Sequence, residues 1–266
     1  MRVVHVCEVI YNEKLNNETY AVSVKCGEAA SVARAGQFIH VKCTDALLLR
    51  RPLSICAVRG DTIKIVFEVK GEGTRQFSGV KPGEMLDIMG PLGNGFSDAI
   101  GRASCNGDTM SDGKLLVVGG GIGVAPLLFA AESSRCSVTA VLGFRDEGRI
   151  ILRSEFEAAC DNMFITTDDG SYGIHGPVTK PLAELLEAGD YDVVFSCGPR
   201  VMLQAVANLC RQHSTPCLAS MEERMGCGIG ACLVCACETV SDGQARMSRV
   251  CKDGPVFDSE EVVWEA

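Results

Sequence analysis

Leu115-Leu116-Val117-Val118-Gly119-Gly120-Gly121-Ile122-Gly123-Val124-Ala125-Pro126 runs from an unbroken apolar segment through four glycines into a helix-forming stretch. An apolar run without alternation is what a parallel strand buried on both faces requires. Glycines at the strand-to-helix turn let a phosphate approach the backbone. The helix N-terminus behind them offers unpaired N–H groups and the positive end of the helix dipole. The stretch reads as a dinucleotide-binding loop on an open α/β sheet.

Downstream, Val138–Leu142, Met163–Thr166 and Val193–Phe195 are further apolar runs of the same kind, with helical segments such as Pro126–Ser134 and Pro181–Ala188 between them. Residues 114–218 are therefore expected to form a parallel α/β domain of about five strands. Upstream the pattern changes. Tyr20–Lys25, Phe38–Lys42, Ile63–Val69 and Met85–Met89 are short runs rich in Val, Ile and Phe, separated by turns such as Ala35-Gly36 and Lys81-Pro82-Gly83. They predict a small antiparallel β-barrel over residues 1–100. Residues 101–113 lose all periodicity and read as a linker, and 219–266 form a short cysteine-rich tail.

That tail holds Cys227-x4-Cys232-x2-Cys235-x15-Cys251. Three thiols in one loop, with a fourth from a distant segment, is the plant-type ligand arrangement of a [2Fe–2S] cluster. A structural zinc site would more commonly draw on two separated Cys-x2-4-Cys pairs. Gly226, Gly228 and Gly230 suit a loop that must bring backbone N–H groups to sulfur. Cys237, two residues beyond Cys235 in a strand-like run, is expected to be a bystander. The remaining cysteines, out of 15 in all, show no framework spacing and read as small buried hydrophobes of a reducing cytoplasm.

A net charge of −9 argues against nucleic acid and anionic membrane surfaces as partners. The longest uncharged stretch, Leu115–Ala131, is too short and too rich in glycine to span a bilayer. A soluble, cytoplasmic protein is expected.

Two further motifs lie in the barrel region. Arg51-Pro52-Leu53-Ser54 pairs a guanidinium with a hydroxyl near a strand start, which suits a flavin phosphate. Glu68-Val69-Lys70-Gly71-Glu72-Gly73-Thr74 supplies a strand end and a turn able to cradle pyrophosphate. In the α/β region, Ser196-Cys197-Gly198-Pro199 follows a buried strand, where open sheets bind ligands. Local sequence leaves two roles open for Cys197, beside a nicotinamide or packed at a turn.

In this order, the motifs resemble the ferredoxin–NADP reductase superfamily across residues 1–218, and Pro126 in place of the fingerprint's third glycine agrees with it. The tail Glu222-Glu223-Arg224-Met225-Gly226-Cys227 through Cys232, with Cys251-Lys252-Asp253-Gly254-Pro255, is similar to the electron-transfer subunits of class B dihydroorotate dehydrogenase, as is Gly90-Pro91-Leu92-Gly93-Asn94-Gly95-Phe96. The resemblance implies three parts: an antiparallel flavin-binding barrel, a parallel α/β nicotinamide domain and a small [2Fe–2S] domain. It assigns Arg51, Pro52, Leu53, Ser54, Glu68, Val69, Lys70, Gly73 and Thr74 to FAD, Gly121, Gly123 and Cys197 to NAD, and Cys227, Cys232, Cys235 and Cys251 to the cluster.

No acid–base catalyst is expected, because the cofactors carry the redox chemistry. The implied partner is an FMN-containing dihydroorotate dehydrogenase catalytic subunit, two copies of each chain forming a heterotetramer in pyrimidine biosynthesis. Met225, Ile229 and Leu233 are expected at that interface. An NAD(P)H-dependent reductase serving an oxygenase or a bifurcating complex is the alternative, and a redox sensor a third. For NAD over NADP, Asp146 or Glu147 would accept from a ribose 2′-hydroxyl, while Arg145 argues the other way.

Overall fold

The computed structural model describes residues 4–44, 46–100, 113–189, 191–241 and 243–264. All of the expected linker except Gly113 lies outside them.

Six strands close the N-terminal barrel: β1 (Val4–Lys14), β2 (Thr19–Lys25), β3 (Phe38–Lys42), β4 (Arg51–Arg59), β5 (Thr62–Glu68) and β6 (Met85–Leu92), in the order β1-β2-β5-β4-β3-β6. Every neighbouring pair is antiparallel. Alternation drives the closure. Ile63, Ile65 and Phe67 on β5, Ile39 and Val41 on β3, and Val22 and Val24 on β2 point inward and are almost wholly buried. Gly36 and Gly83 take positive φ at the turns the sequence marks. Helix α1 (Gly27–Ala30) follows β2, α2 (Glu72–Ser78) follows β5, and α3 (Phe96–Ile100) leaves the barrel.

The second body is a seven-stranded sheet. Its strands are β7 (Lys114–Gly120), β8 (Ser137–Phe144), β9 (Asn162–Thr167), β10 (Ile174–His175), β11 (Val193–Cys197), β12 (Cys217–Ser220) and β15 (Val256–Asp258), ordered β10-β9-β8-β7-β11-β12-β15. Helices α4 (Val124–Ser133), α5 (Arg153–Ala159), α6 (Thr179–Ala188) and α7 (Arg200–Gln212) provide the crossovers. The count exceeds the expected five through the two-residue β10 and through β15, which the tail adds antiparallel to β12. The chain grows outward from β7 in one direction and then in the other. The topological switch therefore lies between β7 and β11, where Gly119 pairs with Cys197.

The tail also folds a hairpin, β13 (Ala236–Ser241) and β14 (Gln244–Arg249). Its core joins Cys235, Val250 and Cys251 to Phe38 and Leu92 of the barrel and to Phe257 of β15. The cysteine-rich segment around Cys235, Val250 and Cys251 is thus wedged between both bodies. Barrel and sheet meet where Phe96 stacks on Phe195 at 4.3 Å between ring centroids. Burying one such ring is worth about 1.5–3 kcal/mol. Lys64 on β5 also pairs with Glu155 on α5 at 2.9 Å. Cys43, Cys56, Cys160, Cys197, Cys210, Cys217 and Cys237, outside the cluster motif, are free thiols, as the sequence leads one to expect. Cys7 and Cys26 depart from it, joined as a disulfide between β1 and the end of β2.

Candidate functional site

Two clefts open at the carboxyl ends of the parallel strands, facing the barrel. The first is walled by Arg51, Pro52, Leu53 and Ser54 of β4, by Glu68 at the end of β5 and Lys70 beyond it, and by Thr74 of α2. Gly73 has a steric role: a Cβ there would lie 2.5 Å from Nε of Arg51, so any larger residue would push the guanidinium from this position. The Thr74 hydroxyl accepts the backbone N–H groups of Lys70 and Gly71 at 2.9 and 3.2 Å, which commits it to starting α2. Ile122 and Pro126 close the cleft from the sheet side, and Met221, Glu222, Met225 and Pro255 close it from the tail.

The second cleft continues along the sheet. Gly121 takes φ +55° with open space above it, and Gly123 packs so closely on the Cys197 carbonyl that a Cβ would overlap it. Gly198 and Pro199 line the cleft, whereas Cys197 is buried behind it as the last residue of β11. Burial, aided by the charge of Glu222, pushes the Cys197 thiol pKa up. At the far end the lining residues are Arg145, Arg149 and Asp168. Asp146 and Glu147, expected there from sequence, instead shape a short turn: the Asp146 carbonyl accepts the Arg149 N–H, and the Glu147 N–H donates to Ser171 Oγ. Arg149 is held by a carboxylate that reaches over from the barrel, Glu18.

Glu68, Lys70, Ile122 and Glu222 line both clefts. Two ligands lying end to end would meet there. Glu222 keeps one side open to the cleft, and protein crowds it on the others. That crowding raises its carboxyl pKa; the Lys70 ammonium opposes the shift and Glu68 adds to it. Val69 lines only the second cleft.

Behind the first cleft, the cysteine loop turns its backbone toward sulfur. Ala231 and Cys232 donate their N–H groups to Cys227 Sγ at 3.2 and 3.4 Å, Gly230 donates to Cys251 Sγ at 3.1 Å, and Cys251 to Cys235 Sγ at 3.4 Å. Among the described residues no three His, Cys, Asp or Glu side chains converge on the position of one metal ion. The thiols fall instead into two contacting pairs, Cys227 with Cys232 and Cys235 with Cys251. Burial opposes ionisation of Cys227, but backbone N–H groups of Ile229, Cys232 and Ala231 outweigh it and bring the pKa down to about 6. Burial and the neighbouring Cys235 push Cys251 up to about 12. Two thiol pairs with N–H donors around them fit a two-iron cluster better than a single ion. Cys237 pairs across the hairpin with Ser248 and is buried.

Ile229 and Leu233 are exposed at 53% and 61%, whereas Met225, grouped with them from sequence, is turned inward and lines the first cleft. Sequence reasoning missed Ile122, Arg149, Asp168 and Glu222 as cleft residues, and Glu18 as the partner of one of them. It also passed over His40, which is wholly buried and leaves both ring nitrogens without a hydrogen-bond partner. Burial, with the Arg50 charge adding, brings its pKa down to about 4, so the ring is neutral.

Comparison with known proteins agrees with this geometry. The chain is 35% identical over 257 residues to the dihydroorotate dehydrogenase B (NAD(+)) electron transfer subunit of Caldanaerobacter subterraneus subsp. tengcongensis, covering 96% of this chain and 97% of that one. It belongs to this family of electron-transfer subunits. The Streptococcus pneumoniae subunit is 40% identical, with 89% of this chain and 90% of the relative covered. The iron–sulfur cluster binding domain of dihydroorotate dehydrogenase B matches residues 222–263. Among solved structures, the NADH-dependent reduced ferredoxin–NADP oxidoreductase superposes with a TM-score of 0.84 at 28% identity, covering 98% of this chain and 90% of the other. A ferredoxin NADP+ reductase from Neisseria gonorrhoeae, with a TM-score of 0.64 at 15% identity and 80% and 92% coverage, shares the fold. No helix among the described residues is long and apolar enough to cross a membrane.

Proposed function

We propose that this chain carries electrons from an FMN-containing dihydroorotate dehydrogenase catalytic subunit to NAD+, as one of two copies in a cytoplasmic heterotetramer. In this reading Cys227, Cys232, Cys235 and Cys251 hold a [2Fe–2S] cluster. Arg51, Pro52, Leu53, Ser54, Glu68, Lys70, Gly73 and Thr74 form the FAD site, while Gly121, Gly123 and the turn after Cys197 form the NAD site. Bound together, these groups convert a two-electron hydride donor or acceptor into one-electron traffic. The observation that carries the reading is the continuity of the parts: the two clefts share Glu68, Lys70, Ile122 and Glu222, and the cysteine segment supplies a wall of the first.

The chain's own side chains position and screen. Arg51 offers a guanidinium to a phosphate, and Gly73 leaves room for it. Lys70 sets a positive charge where the clefts join, and Glu222 lines the same junction with a carboxyl whose pKa burial raises and Lys70 opposes. Ile229 and Leu233 cover the exposed side of the cysteine loop until a partner does. The test is reconstitution. With its catalytic partner the chain is expected to reduce NAD+ on addition of dihydroorotate, and alone it is expected to be inactive with that substrate. NAD+ reduction by dihydroorotate with the isolated chain would refute the assignment.

A second reading rests on the superposition with the ferredoxin–NADP oxidoreductase. There the chain would serve a bifurcating complex, and co-purification with a second flavoprotein that does not oxidise dihydroorotate would favour it.

A further inference from the structure

His40 lies on the outward face of β3, between Phe38 and Lys42, while Ile39 and Val41 point into the barrel. That outward face is buried because the cysteine-rich tail covers it: Phe38 and Met89 pack with Cys235 and Cys251 there. His40 stands opposite Pro52, a wall of the first cleft, and opposite Met89 in the barrel register. On its other side it meets the cysteine loop. A Cβ at Gly228 would lie 2.9 Å from Cε1, 3.0 Å from Nδ1 and 3.2 Å from Nε2 of the imidazole. The edge carrying both nitrogens therefore faces the backbone between Cys227 and Cys232, and only glycine at 228 lets it come so near.

A buried imidazole with no partner is destabilising relative to an apolar side chain of the same shape. Its neighbours Phe38, Met89 and Pro52 would accept leucine or phenylalanine at this position without that cost. The ring carries at least one N–H whatever its tautomer, and the described protein offers no acceptor for it. An iron–sulfur cluster held by the cysteine loop would bring sulfur acceptors to the loop that this edge of the ring faces.

We propose that His40 is a positioning residue that donates an N–H hydrogen bond to the sulfur shell of the iron–sulfur cluster, fixing its reduction potential next to the flavin cleft. The proposal rests on the cluster assignment made above. Hydrogen bonds to sulfur favour the more negative, reduced cluster, so their removal lowers the potential. Loss of one such bond is expected to shift the reduced-to-oxidised ratio at a fixed potential by about tenfold, equivalent to ~59 mV.

The experiment compares the holo-chain with its His40→Leu and His40→Gln variants, each checked for iron and sulfide content. Redox titration followed by electron paramagnetic resonance gives the potential. Pulsed measurements on chains labelled with 15N-histidine report nitrogen coupled to the reduced cluster. Expected are a 15N coupling that disappears in His40→Leu, a lowered potential in that variant, and partial recovery of the potential in His40→Gln, whose amide can donate. A cluster with unchanged potential and no 15N coupling in the unsubstituted chain would overturn the proposal. Cluster loss in His40→Leu but not His40→Gln would support it, whereas equal loss in both would reduce His40 to packing and overturn it. Absence of any reduced-cluster signal from the unsubstituted chain would overturn the cluster assignment, and the proposal with it.

Discussion

Gly123 rests directly on the carbonyl of Cys197, so the glycine loop after β7 and the turn after β11 form one surface across the switch point of the sheet. Gly119 pairs with Cys197 one step earlier, which fixes the register of that surface. The nucleotide cleft depends on this contact more than on any single side chain reaching into it. Gly123→Ala places a methyl group against backbone, which cannot move aside as a flexible side chain would. Overpacking of this kind costs about 1–3 kcal/mol. NADH-dependent ferricyanide reduction by the variant is expected to fall roughly 5–100-fold in kcat/KM, with flavin and iron content unchanged. Unaltered kcat/KM would show that the contact does not shape the NAD site.

Arg51 and Gly73 give a parallel prediction for the flavin. Arg51→Ala removes a charged donor worth about 1.5–3 kcal/mol, so flavin affinity should drop about 10–150-fold. Gly73→Val should reach a similar loss by displacing the guanidinium while leaving the charge in place. Flavin retention on gel filtration, with extracted flavin identified as FAD, decides both. FMN in the extract would contradict the assignment of this cleft.

The glycine loop and Arg51–Ser54 are legible in sequence because each meets its chemical requirement within a few residues. Cys197 shows where that legibility stops. The motif marks the right turn, but a one-residue difference decides that Gly198 and Pro199 line the cleft while the thiol stays in the sheet. Glu18 and Arg149 are 131 residues apart, and nothing local to either reports that they meet. His40 was invisible for another reason. Strand alternation assigns it to the outer face of the barrel, which reads as solvent until the C-terminal segment folds over it.

The Glu18–Arg149 pair bears on nucleotide choice. Arg149 lines the far end of the second cleft, and the Glu18 carboxylate occupies its guanidinium. A free arginine there would suit a 2′-phosphate, since guanidinium binds phosphate with strong, charge-assisted bonds. Glu18→Gln is expected to raise kcat/KM for NADPH by roughly 3–10-fold and to leave NADH within about twofold. Steady-state diaphorase assays with both nucleotides measure this, and an unchanged preference would place the discrimination elsewhere, with Asp168 as the next residue to substitute.

For the cluster, Cys251→Ser is expected to lose the iron and the visible absorption, whereas Cys237→Ser should keep both. Cys251 shares sulfur contact with Cys235 and receives the Gly230 N–H, while Cys237 faces Ser248 across the hairpin. The reverse outcome would exchange the fourth ligand.

Arg249 ties this loop to its support. Its guanidinium donates to both carboxylate oxygens of Asp253 at 2.9 and 3.0 Å and to the Gly230 carbonyl at 3.3 Å, and Asp253 also accepts the Arg249 backbone N–H at 2.8 Å. The bonds from Arg249 hold the Asp253 carboxyl below its ordinary pKa of 3.8 against some burial. A depressed carboxylate pKa contributes stability that is fully present above the unfolded value and disappears as pH falls through the folded one. The clamp is therefore intact at neutral pH and opens only under acid conditions below about 3.8. Asp253→Asn removes the charge at every pH and should speed cluster bleaching at pH 7 by about 3–10-fold, the range set by a lost charge-assisted clamp at a partly exposed site. The difference between the two proteins should shrink as both are acidified, because the unsubstituted carboxylate then becomes neutral as well. Bleaching followed by visible absorption across that range tests the sign. A gap between the two rates that widens toward low pH would show that Asp253 acts on the loop by some route other than its charge.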